Sequence, residues 1–176
     1  MKKERIKIIS IDNVKEGSQI QVMGWVRTIR KSKNVSFISL NDGSSINSLQ
    51  IVLDMKIFDE KIIDKINTGS SLSVNGKLVN SAGKNQNYEL QAESIELLGE
   101  SDPESYPIQP KKHTFEFLRE VAHLRPRTNT FSCIFRIRHA CIFAIHKFFN
   151  DKGFVNVHTP IITSSDAEGA GEMFRV

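Results

Sequence analysis

The run Gln19–Asp54, QIQVMGWVRTIRKSKNVSFISLNDGSSINSLQIVLD, decides the fold. It holds three apolar-alternating stretches, Ile20–Ile29, Val35–Leu40 and Leu49–Leu53. The second and third are separated by the turn residues Asn41-Asp42-Gly43-Ser44. Short alternating runs bounded by such residues predict strands. Outward from this run, two more strands are predicted at Leu72–Val79 and Tyr88–Leu97, with Ser81-Ala82-Gly83-Lys84-Asn85 as their hairpin turn. Between the third and fourth strands, Phe58, Ile62, Ile63 and Ile66 recur at helical spacing, which predicts a helix over Ile57–Ile66.

Five strands with a helix between the third and fourth is the element order of the OB-fold, an all-β five-stranded Greek-key barrel whose open face binds oligonucleotides. Neighbours on a strand face opposite sides. With Ile20, Val22, Gly24 and Val26 inward, Trp25 and Arg27 face out. With Ile38 and Leu40 inward, Phe37 faces out beside Val35 and Ser39. Gln50 faces out from the third strand, and Glu89, Gln91 and Glu93 from the fifth. An outward aromatic flanked by Arg, Gln and Glu suits an unstacked base: the ring stacks and the polar groups read its edge. The plain alternative is that Phe37 packs under a loop. Arg30, Lys31 and Lys33 follow as candidate phosphate contacts, or as a solvated basic loop.

Composition fits such a partner without demanding it. The 176 residues are 39% hydrophobic and 25% charged, with formal charge +4 and a pI near 9.1. Cys133 and Cys141, about 12 Å apart along a helix, are too distant for a disulfide and read as small buried hydrophobes. A reducing, cytoplasmic setting is expected. The N-terminus has no secretory apolar core, because Glu4, Arg5, Lys7 and Ser10 interrupt it. No run of about 18 apolar residues predicts a membrane span. The histidines are scattered, so no metal site is expected.

Residues 102–112, DPESYPIQPKK, hold three prolines and read as a stiff extended linker. The expected organisation is a barrel over 1–101, a linker over 102–112 and a second α+β part over 113–176. Thr114 is expected to cap a short helix, and Asn129 or Thr130 a long one over Phe131–Lys152 that ends at Gly153. A strand is predicted at Phe154–Thr159, then Pro160 and an acidic Gly-rich loop, SSDAEGAGE, at 164–172. That loop is able to grip an ammonium group or a cation. Such loops are more often simply solvated.

The long helix followed by Gly153, Phe154 and Pro160 resembles motif 1 of the class II aminoacyl-tRNA synthetases, where helix and strand form the dimer interface. GWVR at Gly24–Arg27, with Phe37, Gln50 and Glu89, resembles the anticodon-binding barrel of the Asp/Asn/Lys subgroup. HLRPRTNTF (His123–Phe131) and HTPIITSSDAEGAGEMF (His158–Phe174) are most similar to the asparaginyl branch. The resemblance implies an incomplete start of a class II antiparallel catalytic domain after the barrel. It implies ATP-dependent joining of asparagine to its tRNA through asparaginyl-adenylate, with magnesium, in a homodimer without DNA or membrane partners. It also implies that Phe37 stacks on the central anticodon uridine, that Arg27, Gln50 and Glu89 read its edge, and that Glu168 meets the substrate ammonium.

Motifs 2 and 3, with their phosphate-holding arginines, do not occur in these residues, so the stretch is expected to resemble an N-terminal portion that is inactive alone. Two other readings stay open: a free-standing barrel that binds single-stranded RNA or tRNA, and an aspartyl, lysyl or amide-forming relative.

Overall fold

The structure is a computed structural model and describes residues 5–81, 83 and 86–162. A 3-10 turn, Ile8–Asn13, leads into β1 (Gln19–Arg30), β2 (Val35–Asn41), β3 (Leu49–Asp54), α1 (Glu60–Asp64), β4 (Ser71–Asn80) and β5 (Tyr88–Gly99). The strands close into a barrel in the order β1-β2-β3-β5-β4, with β3 and β5 parallel and the other pairs antiparallel. The expected OB-fold is therefore present.

The inward rows are those that alternation predicts. Val22, Ile38, Leu40, Ile51, Leu53, Leu72, Val74, Leu78 and Leu90 are fully buried in one core. Two glycines let strands cross closely. A Cβ on Gly24 would lie 2.6 Å from the Asn41 carbonyl oxygen, and one on Gly76 only 2.1 Å from that of Gln91. Gly76 adjoins a bulge in the β4–β5 ladder, where a side chain has no room.

The helix after β3 is shorter than its apolar spacing suggests. Asp59 caps it by accepting from the Lys61 N–H at 2.9 Å, so the helix begins only at Glu60. Ile63 and Ile66 still seal the barrel, and Phe58 packs against the core. Ile57 and Ile62 stay exposed.

The Pro-rich stretch is a hydrogen-bonded turn, not an extended chain. The Asp102 carbonyl accepts from the Tyr106 N–H at 2.9 Å, and Gln109 Nε2 donates to the carbonyls of Pro103 and Tyr106. The stretch also lies on the barrel, since a Cβ at Gly69 would meet the Tyr106 ring at 2.9 Å. By contacts the chain forms two compact units, Met1–Phe135 and Arg136–Val176.

Thr114 caps α2 (Phe115–Glu120) through the Phe117 N–H. The long helix, α3 (Asn129–Asp151), starts two residues earlier than expected, because Thr128, and not Asn129 or Thr130, takes the capping role through the Phe131 N–H. Gly153 ends it at φ +83°. Its N–H reaches the Asn150 carbonyl at 2.9 Å, and the Phe154 N–H reaches the Phe149 carbonyl at 3.1 Å. The Phe149 and Phe154 rings meet edge-to-face 5.5 Å apart. These two hydrogen bonds and the apolar contact make a Schellman cap.

The strand predicted at Phe154–Thr159 is instead irregular and exposed. Among the described residues it has no ladder neighbour, and isolated extended chain is not a strand. The acidic loop 164–172, Glu168 included, lies outside the described residues.

Candidate nucleic-acid interface

Cross-strand register assembles the outer face of the barrel. Phe37 pairs with Arg30 on β1 and with Val52 on β3. Ser39 pairs with Thr28 and with Gln50, and Gln50 in turn pairs with Glu89 on β5. Phe37, Gln50 and Glu89 thus share one face, with Phe37 partly exposed.

The Glu89 carboxylate accepts from Gln50 Nε2 at 3.3 Å and from the Ser81 hydroxyl at 3.2 Å. Gln86 Nε2 donates to Ser81 Oγ at 3.1 Å. With its amide nitrogen donating to Glu89, Gln50 has Oε1 as its side-chain acceptor. The Arg30 guanidinium stacks over the Phe37 ring, 4.6 Å from its centroid. A stacked guanidinium keeps its in-plane donors available for a base edge or a phosphate.

Arg27 is the one residue of the expected set that the structure places elsewhere. Val26 pairs with Leu40 and Thr28 with Ser39, so Arg27 is the extra residue of a β-bulge. Its guanidinium donates to Asn129 Oδ1 at 2.5 Å, and burial lowers its pKa from the usual arginine value, with Tyr106 opposing that shift. Beyond the bulge the parity flips. Ile29 returns to the core and Arg30 turns outward onto Phe37. Sequence parity missed this, although one signal was available. Val26 and Ile29 are both apolar and three apart, which a regular strand cannot place on one side. Ser81 and Gln86 were missed as well, being residues of a turn that no periodicity marks.

Of the remaining basic candidates, Lys31 is engaged: its Nζ donates to the Asp64 carbonyl at 2.9 Å. Lys33 is exposed on the β1–β2 loop. Among the described residues no group of three His, Cys, Asp or Glu side chains is placed to hold a metal ion. Nor is any described helix long and apolar enough to cross a membrane.

Comparison with known proteins agrees with this geometry. Residues 20–98 match the OB-fold nucleic acid binding domain, and residues 114–176 match the tRNA synthetases class II (D, K and N). The asparagine–tRNA ligase of Cytophaga hutchinsonii is 55% identical over 177 aligned residues, covering all of this chain and 38% of that protein. That of Parabacteroides distasonis is 59% identical over 91% of this chain and 34% of its own length. The chain therefore spans little more than a third of these relatives. The asparaginyl-tRNA synthetase from Pyrococcus horikoshii, complexed with asparaginyl-adenylate, shares the fold at a TM-score of 0.81. It is 22% identical, over 95% of this chain and 39% of that one. Barrel register, both domain matches and whole-chain identity above one half agree: the chain belongs to the class II tRNA synthetases of the D, K and N group, on the asparaginyl branch.

Proposed function

We propose that the chain is the tRNA-reading part of an asparagine–tRNA ligase, working as a homodimer in the cytoplasm. In the overall reaction the asparagine carboxylate attacks the α-phosphate of ATP and expels pyrophosphate. A terminal ribose hydroxyl of tRNA(Asn) then takes the acyl group and releases AMP. Magnesium is proposed to accompany ATP. The described residues hold no donor set for it, so no step at a metal is assigned to them. Glu168 is proposed to orient the asparagine ammonium by a charge-assisted hydrogen bond. Gly153, Phe154, Pro160 and the apolar α3 are proposed as the dimer contact. The domain division 1–101, 102–112 and 113–176 is kept as a functional one, in line with the two matched regions.

The observation that carries the reading is the Phe37 ring, stacked with Arg30 and flanked by the Gln50–Glu89 pair on the outer face of the barrel. A uracil stacked there presents an N3–H donor, for which Gln50 Oε1 is an acceptor. It also presents two carbonyl oxygens, for which Arg30 supplies donors. Arg30 thus replaces Arg27 as the edge-reading cation. A barrel that binds single-stranded RNA without chemistry would share this face. The identity to asparagine–tRNA ligases over residues beyond the barrel favours the enzyme.

The test is the affinity of a stem-loop carrying a GUU anticodon. Phe37→Ala should weaken binding by about 1–3 kcal/mol, the usual worth of one base–aromatic stack. Removal of the middle base from the RNA should weaken binding by the wild-type protein alike and leave Phe37→Ala unchanged. Equal affinity of the wild type for intact and abasic loops would overturn the reading.

A further inference from the structure

We propose that Arg27 is a positioning residue: by gripping Asn129 it pins the bulge in β1 and thereby holds Arg30 over Phe37. The inference rests on the anticodon reading of the Phe37 face and deepens it.

The argument starts from strand parity. Were β1 regular through residues 26–30, Ile29 would face solvent and Arg30 would face the core. One extra residue at position 27 reverses both. A bulge commonly serves to re-aim the side chains that follow it. The strand just before the bulge is tied by backbone: the Val26 N–H reaches the Ser70 carbonyl and the Gly69 N–H reaches the Val26 carbonyl, both at 2.8 Å. The strand just after it is tied through the pairing of Thr28 with Ser39. Arg27 itself has no ladder partner in β2, and its side chain adds a bond to Asn129 to the pairings that flank it.

That side chain is held by a purpose-shaped surround. Asn129 Oδ1 accepts from its guanidinium. Close by, Arg127 Nη1 donates to the Tyr106 hydroxyl at 3.2 Å, and the Arg127 guanidinium stacks on Trp25, 4.8 Å from the ring. Among the described residues, no ion pair involves Arg27 or Arg127. The anchor is therefore geometric, a directed hydrogen bond to a neutral acceptor, and not an ion pair that would tolerate rotation. Asn129 is free for this task because Thr128 caps α3 in its place. Arg27 and Arg30 are three residues apart, about 10 Å along β1, so the Asn129 anchor is set off from the base seat.

The test measures stem-loop affinity of the full chain across a salt series for Arg27→Met, Asn129→Leu, Arg30→Met and the Arg27→Met/Arg30→Met double variant. Arg27→Met and Asn129→Leu should each weaken binding about five- to tenfold, as for loss of one charged hydrogen bond. The slope of affinity against salt should stay at the wild-type value in both. The double variant should bind no more weakly than Arg30→Met alone, because Arg27 acts only through Arg30. Additive losses with a salt slope shallower by about one would show Arg27 on a phosphate and overturn the proposal. So would wild-type affinity in Asn129→Leu, which removes only the acceptor and keeps the test valid if Arg27→Met fails to fold. Loss of affinity in Arg30→Met and Phe37→Ala without loss in Arg27→Met removes this inference alone. Wild-type affinity in Arg30→Met and Phe37→Ala removes the anticodon reading, and this inference with it.

Discussion

In the barrel, Ile38, Leu40, Ile51 and Leu53 lose all contact with solvent, whereas in α3 Ile137, Phe143, Ile145 and Phe148 each remain more than half exposed. At about 100° per residue Ile137, Ile145 and Phe148 fall within about 80° of one another, and His139, His146, Lys147 and Asn150 fall on another side. A helix with such an apolar stripe is built to bury it against a partner. The barrel needs nothing further, because closure pairs its edges and buries its inner rows together. The long helix carries its own caps at Thr128 and Gly153, but not its own cover. The caps of α3 are thus made locally, while burial is reached only in the barrel among the described residues. Backbone caps are satisfied within a few residues of sequence, while apolar burial requires partners distant in the chain.

The comparison is broken most severely by a cavity in the barrel. Ile51→Ala should cost about 2–5 kcal/mol, read as a lowered midpoint in urea. A cost near zero would mean that the barrel is not the rigid half of the molecule.

Asp42 sharpens it next. Its side chain, 1% exposed, accepts from the Ile8 N–H at 3.1 Å and the Ser44 N–H at 3.0 Å, and pairs with Arg5 at 3.4 Å. Burial opposes its charge. The hydrogen bonds from the Ser44 hydroxyl, Ile8 N–H and Ser44 N–H, together with Arg5, outweigh that and lower its pKa below the ordinary 3.8. A carboxyl whose folded pKa lies below its unfolded value stabilises fully above the unfolded value. It loses that stabilisation as pH falls through the folded one. Asp42→Asn should therefore cost about 1–3 kcal/mol at neutral pH, with the gap to wild type closing below about pH 4. A gap that persists at pH 2 would count against the charge.

Gly153→Ala should cost about 1 kcal/mol, because a Cβ at φ +83° strains the Schellman cap, and should show as fraying of the α3 end by amide exchange. The smallest thermodynamic effect is expected from Ile145→Ser with Phe148→Ser. Barrel stability should move by less than about 0.5 kcal/mol, while self-association measured by sedimentation should fall. A large loss of barrel stability would overturn the division between the two regions.

Most of the barrel was legible from residues 19–54 and 72–97, because alternation, turn residues and strand number are local signals that all agree. Three features were not. The helix after β3 is short because Asp59 caps it, and apolar spacing does not mark a start. The Pro-rich stretch folds back because Tyr106 finds Gly69, a contact between residues 37 apart in the sequence. Arg30, and not Arg27, lies over Phe37 because a single bulged residue reverses parity.

Taken alone, the order of residues determined the five strands, their inward rows, the Thr114 cap of α2, the Gly153 end of α3, and the family likeness. Each depends on neighbours within a few positions or on short strings. Which arginine meets Phe37 was decided only in three dimensions. Arg27 is squeezed out between two β2 pairings, Val26 with Leu40 and Thr28 with Ser39, and bonds Asn129, about a hundred residues away, and no local pattern encodes that meeting.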